Sequence, residues 1–260
     1  MSVEMSIWGL LAGYLLLLVP LGILLYKGVE LISATLVAVV RMTVQLLFVG
    51  LYLQVVFDWN SWLLNAAWVV VMIGVADGTI TKRSGLRTRS FLLALFVSLL
   101  VGTALPVAFF IGVMLQDWRI LDARYVIPIA GMVLGNCLRA DIIGLKAFFE
   151  DIRRQRRLYE FSLAQGATLS EAIRPFYRDA LSAAMSPTVA TMATIGLVSL
   201  PGMMTGVMLG GADPIHAVRY QIGIMIAIFS GTALTVFIAI RLSATSSFDG
   251  RGLLRDDIFR

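Results

Sequence analysis

DIRRQRRLYEFSLAQGATLSEAIRPFYRD, Asp151–Asp179, is a polar and basic interruption in a chain whose other long stretches are apolar. On either side lie runs of roughly 20 apolar residues, the length an α-helix needs to cross a bilayer. The segment therefore reads as a loop between two membrane helices, and that reading sets the fold class. The runs are continuous rather than alternating, so the pattern is that of helices and not of a membrane β-barrel. Composition agrees: 59% of the residues are hydrophobic, 14% are charged, and mean hydropathy is +0.88. A soluble domain is nearer half apolar and a quarter charged.

The expected architecture is an all-α polytopic membrane protein with about seven spans. These are Ile7–Tyr26, Leu31–Phe57, Trp62–Ala76, Phe91–Leu115, Tyr125–Phe148, Leu181–Met204 and Ile215–Ile240. Trp59, Trp62, Trp118 and Tyr125 stand at span ends, where amphipathic rings prefer the headgroup level. Lys27, the cluster Lys82, Arg83, Arg87 and Arg89, the basic residues of 146–178, and Arg241, Arg251, Arg255 and Arg260 fall on one set of connections. The other set holds Arg119, Arg124 and Arg219 beside Glu4, Asp58, Asp117, Asp122 and Asp213. The positive-inside rule makes the first set cytoplasmic, with the N-terminus out and the C-terminus in. Residues 1–242 read as one transmembrane domain and 243–260 as a short, polar, mobile cytoplasmic tail. The N-terminal apolar run has no basic residues before it and reads as a retained helix, not a signal peptide. The net charge of +5 is explained by this topology, so no nucleic-acid partner is expected; the expected surroundings are the lipid bilayer.

Several functional classes lack their residues. No G-x-x-x-x-G-K-[ST] occurs, so the chain has no Walker A loop for ATP. One histidine, His216, and one cysteine, Cys137, leave no metal-ligand spacing and no catalytic triad. The chain is not expected to be an enzyme or to bind a cofactor of its own. Polar residues inside spans are functional candidates by default. Arg41 and Gln45 are one turn apart in the second span, and Asn136 lies at similar depth in the fifth. Gly131 and Gly135, just before it, form a small-xxx-small pair that allows close helix packing. Arg139, Asp141 and Asp77 lie nearer span ends and are weaker candidates. In Gly196–Pro214, the residues Pro201, Gly202, Gly206, Gly210 and Gly211 make a regular helix throughout improbable, and Met203, Met204 and Thr205 become candidates for a substrate path.

Inside the loop, Asp151–Gln165 is helix-compatible, Gly166-Ala167 breaks it, and Thr168 opens T-L-S-E, a capping box closed by Glu171. Pro175 is expected to end that short helix or to open the next. The run from Glu160 to Gly166 and on through Ala167, Thr168 and Glu171 resembles the cytoplasmic loop of ABC-transporter permeases, whose coupling helix seats in the ATPase subunit. Phe161, Ser162 and Arg178-Asp179 depart from that pattern. R-x-x-x-Q-L at Arg41–Leu46, VIPIAGMVLGN at Val126–Asn136, LAQGAT at Leu163–Thr168, GLVSLPGMMTG at Gly196–Gly206 and DPIHAVRYQ at Asp213–Gln221 resemble, in order, the FetB-type permeases. That bacterial group is assigned to iron export and has plant relatives linked to aluminium tolerance.

The resemblance implies a homodimeric permease of the bacterial inner membrane that exports iron or a related metal. Its ABC ATPase partner would carry the ATP and magnesium. It makes Glu160, Leu163, Gly166, Ala167, Thr168 and Glu171 the coupling contacts. Arg41 sits poorly with a bare cation, so an anionic metal chelate or a sugar nucleotide stays open as cargo. An ATP-independent secondary transporter or channel, for which Asp77 and Asp141 are the only candidate relay acids, stays open as mechanism, as does a non-transporting assembly factor.

Overall fold

The structure is a computed structural model that describes residues 6–59, 61–86, 88–116 and 122–259. Arg87, Asp117, Trp118, Arg119 and Arg260 lie outside the described residues. The fold is all-helical and built for a membrane. The chain divides into two compact units, Met1–Trp59 and Asn60–Arg260.

In the first unit, α1 (Ile7–Tyr14) and α2 (Leu18–Tyr26) are joined by a 3-10 turn, Leu15–Leu17. Ser6 caps α1 by accepting from the Gly9 amide at 3.0 Å. Gly28, at φ +63°, turns the chain into α3 (Ile32–Trp59). The Tyr14 and Thr43 hydroxyls, 2.6 Å apart, join α1 to α3.

The second unit is a bundle around a long central helix. Its elements are α4 (Trp62–Arg83), α5 (Thr88–Phe109) with a π turn at Phe110–Leu115, α6 (Ala123–Arg154), α7 (Arg156–Ala164), α8 (Leu169–Thr194), α9 (Gly202–Leu209) and α10 (Pro214–Ser247). Helix α10 packs on α5, α6, α8 and α9, and α6 packs on α4, α5 and α8. Among the described residues six segments are long and apolar enough to cross a membrane: Ile7–Tyr26, Ile32–Trp59, Trp62–Arg83, Phe91–Leu115, Ala123–Arg154 and Pro214–Ser247. Helix α8 packs beside α6 and α10 but carries Glu171, Arg174, Arg178 and Asp179 in its first half, so its apolar part is short. Large apolar side chains such as Leu93, Phe109 and Ile222 are exposed, as a lipid-facing surface requires. Trp59 and Trp62 are exposed at helix ends, where anchors belong.

Three expectations about the segments are corrected. The third span does not stop near Ala76; α4 runs to Arg83, and Asp77 falls inside it. The sixth is not one helix from Leu181 to Met204. Helix α8 ends at Thr194, Gly196 takes φ +85°, and α9 begins at Gly202, because Pro201 and the glycines do not sustain the ladder. Pro175 neither ends a helix nor opens one: α8 runs through it and through Pro187. Pro175 removes the bond to the Glu171 carbonyl, but both residues are exposed, so the freed carbonyl is not stranded in a dry core.

Close packing uses other glycines than the pair singled out by spacing. A Cβ on Gly231 would sit 2.5 Å from the Gly102 carbonyl oxygen, and one on Gly102 would sit 2.7 Å from Thr235 Cβ. These two glycines let α5 and α10 cross backbone to backbone. Gly144 on α6 is held as tightly, with Val236 Cγ1 at 2.9 Å from the position of a Cβ. Gly135 has nothing within 4 Å, and Gly131 meets only the tip of Met72, so neither makes the close crossing.

The C-terminal residues are folded, not a mobile tail. Phe248, Leu254 and Ile258 are buried, and Phe248 pairs with Leu254 through an antiparallel bridge. Asp249 Oδ1 accepts from the amides of Arg251 and Leu253, closing the turn between them. Leu86 and Phe259 form a second bridge, and the Phe259 ring stands edge-on to Phe149.

Candidate functional site

The polar loop between α6 and α8 is a discrete helical element. Helix α6 ends at Arg154, and α7 begins two residues on. Gly166, at φ +92°, stops α7: its amide donates to Leu163 O and the Ala167 amide to Ser162 O, a Schellman turn that satisfies the last carbonyls. No Cβ contact crowds Gly166, so its requirement is conformational. The capping box at Thr168 forms: Thr168 Oγ1 accepts from the Glu171 amide, and Glu171 Oε2 accepts from the Thr168 amide at 2.8 Å. Hydrogen bonds from the Thr168 side chain and backbone hold the Glu171 carboxyl below its usual range. Glu160 is paired with Arg156 at 2.7 Å, and Arg156 reaches Asp256 at 3.3 Å.

Helix α7 lies between the bundle and the C-terminal turn. Tyr159 is buried, edge-on to Phe176 and beside Phe248, and its hydroxyl donates to the Gly252 carbonyl. Burial, aided by Asp249 and Glu160, pushes this phenol up to about 12. Gly252 rests against Leu163. On the other side of α7, Leu158 and Phe161 are about 60% exposed (59% and 60%), an apolar pair facing outward from the bundle. The C-terminal turn is part of this element, which sequence reasoning missed. Phe248, Leu254 and Ile258 follow no helical or strand period, so nothing in their spacing announces a packed turn.

The second site is a cavity of about 260 Å³ between α6, α8 and α10, lined also by the α8–α9 break. Asn136, Arg139, Thr188, Thr191, Gln221 and Met203 are in its wall. Asn136 Nδ2 donates to Met132 O on its own helix at 2.8 Å, which leaves its amide oxygen available. Arg139 is the one charged side chain in this wall, with no carboxylate beside it there. Met132, Met203 and Met225 line the same space. Met204 lines two neighbouring cavities of about 360 and 310 Å³. The Thr205 hydroxyl turns back to Pro201 O at 3.1 Å.

The structure thus brings Asn136 and Met203 together, places Met204 next door, and adds Arg139, a weaker candidate by sequence, and Gln221, which no spacing singles out. Arg41 and Gln45 lie in the first unit, both exposed on α3. Among the described residues Arg41 forms no ion pair, and no group of three His, Cys, Asp or Glu side chains has the arrangement of a metal site.

A family profile described as "Uncharacterised protein family (UPF0014)" matches residues 7–248. The UPF0014 membrane protein STAR2 of Oryza sativa subsp. japonica is 33% identical over 226 residues, covering 85% of this chain and 76% of its own length. The UPF0014 membrane protein YjkA of Bacillus subtilis is 34% identical over 222 residues, covering 85% and 86%. The probable iron export permease protein FetB of Escherichia coli is 31% identical over 211 residues, covering 81% and 80%. No solved structure matches the chain.

Proposed function

The chain belongs to the UPF0014 family of membrane proteins, and on that premise we propose that it is the permease subunit of an ABC transporter, working as a homodimer with a separate ATPase. The observation that carries this reading is the α7 element. It is a short amphipathic helix, fixed by a Schellman turn and a capping box, braced by the C-terminal turn and presenting Leu158 and Phe161 outward. A helix so held moves as a rigid piece with α6 and α8. A push on it from a closing ATPase dimer would therefore reach the helices that wall the cavity. Basic residues cluster on the α7 side of the chain, which supports a cytoplasmic position for it, in the inner membrane of a bacterium. ATP and magnesium belong to the partner, in keeping with the missing Walker A loop.

The cargo we propose is iron or a related metal, moved outward, as the name of the Escherichia coli relative suggests. One observation favours a second reading of its chemical form. The cavity wall offers Arg139, Asn136, Gln221 and threonine hydroxyls but no carboxylate. A bare hard cation asks for anionic oxygens. An oxygen-rich anion, such as a metal chelate or a sugar nucleotide, suits Arg139 better.

The test is co-purification with an ABC ATPase subunit from the same organism, followed by ATP-dependent flux in vesicles with ferrous iron, ferric citrate or UDP-glucose in separate arms. ATPase binding with flux of one cargo is expected. Cargo flux by the chain alone, driven by an ion gradient, overturns the ABC reading.

A further inference from the structure

The core of the second unit holds two carboxylates that the cavity does not use. Asp77 on α4 is 1% exposed and Asp141 on α6 is fully buried. Thr235 of α10 donates its hydroxyl to Asp141 Oδ2 at 2.8 Å. Asp141 Oδ1 and both oxygens of Asp77 have no hydrogen-bond partner. The two groups are on packed neighbours, α4 and α6, and the charge of Asp77 acts on Asp141. Three further buried hydroxyls of these helices give their protons to their own helix: Thr81 to the Asp77 and Gly78 carbonyls, Ser98 to Leu95 O and Thr232 to Phe229 O.

Among the described residues the surrounding helices place no cation against these carboxylates. Between Phe91 and Leu115, α5 carries no ionisable residue. Helix α6 brings Cys137, a buried thiol one turn from Asp141, and Arg139, which faces the cavity. On α10 the nearest charge is Arg241, exposed; on α4, Lys82 and Arg83 are exposed at the helix end. On α8, the Tyr177 hydroxyl donates to Phe237 O, and Arg178 and Asp179 are exposed. Neither carboxylate has an ion pair among the described residues.

Two ionised carboxylates buried in the same dry bundle are doubly unfavourable, from desolvation and from mutual repulsion. Three oxygens that accept nothing ask for a hydrogen, and the least costly source is a proton. We propose that Asp77 and Asp141 form a proton-binding site in the membrane bundle, carrying at least one proton near neutral pH and releasing it when α4 parts from α6. Asp141 is tied to α10 through Thr235, whereas Asp77 has no such tie, so α4 is the element free to part. Water entering there would stabilise the ionised pair. By linkage, alkaline pH then favours the parted state, and the closed state takes up protons. The inference uses none of the coupling or cargo residues and stands apart from the proposed transport reaction.

The test is infrared spectroscopy of the full-length protein in lipid nanodiscs near pH 7, with ¹³C-labelled aspartate. A carbonyl band of a protonated, poorly hydrated acid is expected in the unmodified protein, shifted by the label and lost in the double variant Asp77→Asn, Asp141→Asn. Its absence from the unmodified protein overturns the proposal, so a variant that fails to fold leaves the test decisive. A chelator-induced drop in thermal stability that the double variant lacks would mean a bound metal cation instead, and would also overturn it. Cys137, the chain's single cysteine, reports on opening through its alkylation rate. Raising the pH is expected to speed alkylation several-fold more in the unmodified protein than in Asp77→Asn; equal acceleration refutes the link to opening.

Discussion

Replacing Tyr159 with Phe isolates the bond that closes the C-terminal turn onto α7. The ring keeps its contacts with Phe176 and Phe248, because only the hydroxyl is removed. Gly252 is buried, and its carbonyl loses the phenol that satisfies it. Leaving a buried acceptor unpaired costs about 1–3 kcal/mol. At about 1.4 kcal/mol per factor of ten, the open population of the turn should rise roughly 5- to 150-fold. Trypsin reads that population. Arg251 and Arg255 have exposed side chains, but their backbone is held in the turn, with the Arg255 amide donating to Ser247 O. Cleavage should be slow in the native protein and should accelerate in proportion to opening when reclosing outpaces cutting. The control is Arg156→Gln, which breaks the solvent-exposed pair with Asp256 and should change cleavage by a few-fold at most. Equal cleavage rates for Tyr159→Phe and the native chain would refute the clasp.

The same tyrosine gives a pH prediction. A phenol raised to about 12 in the folded turn contributes its full stabilisation below the ordinary tyrosine range, near 10. That contribution is lost as pH rises from about 10 through 12, so tryptic opening should climb over that window and not below it. Gly231→Ala should lower thermal stability by about 1–3 kcal/mol from overpacking against Gly102, while Gly135→Ala, which meets nothing, should leave the melting temperature unchanged. Gly166→Val places a β-branched residue at φ +92° with free space around it, so the strain is local, about 1–3 kcal/mol. If α7 is the coupling element, that variant should retain its helix content and lose ATP-driven flux; full coupled flux would count against the role. Arg139→Gln should weaken flux of an anionic cargo at least several-fold and spare or improve that of a free cation, measured in the same vesicles.

What could be read from the sequence was what depends on near neighbours along the chain. Six of the seven apolar runs, the Thr168–Glu171 capping box and the stop at Gly166 depend on near neighbours along the chain, and these form, whereas the run from Leu181 to Met204 breaks. Pro175 also looked local, yet its outcome turned on whether the freed Glu171 carbonyl met solvent, which is a property of the fold. The glycines divide in the same way. Gly131 and Gly135 have the spacing of a packing motif, but spacing on one helix does not say which face a second helix covers. The crossing was made by Gly102 and Gly231, which are on different helices and carry no joint signature.

The two acids show where this limit bears on function. Ending the third span at Ala76 put Asp77 at a membrane boundary, where a carboxylate can remain hydrated. The continuation of α4 to Arg83 takes that escape away, and the packing of α4 on α6 sets Asp77 near Asp141. Each residue alone reads as an ordinary helix-end acid. Only their shared burial, with three oxygens unpartnered, turns them into a site that must be neutralised. Position in the chain marks where a charge might be hydrated; packing decides whether it is.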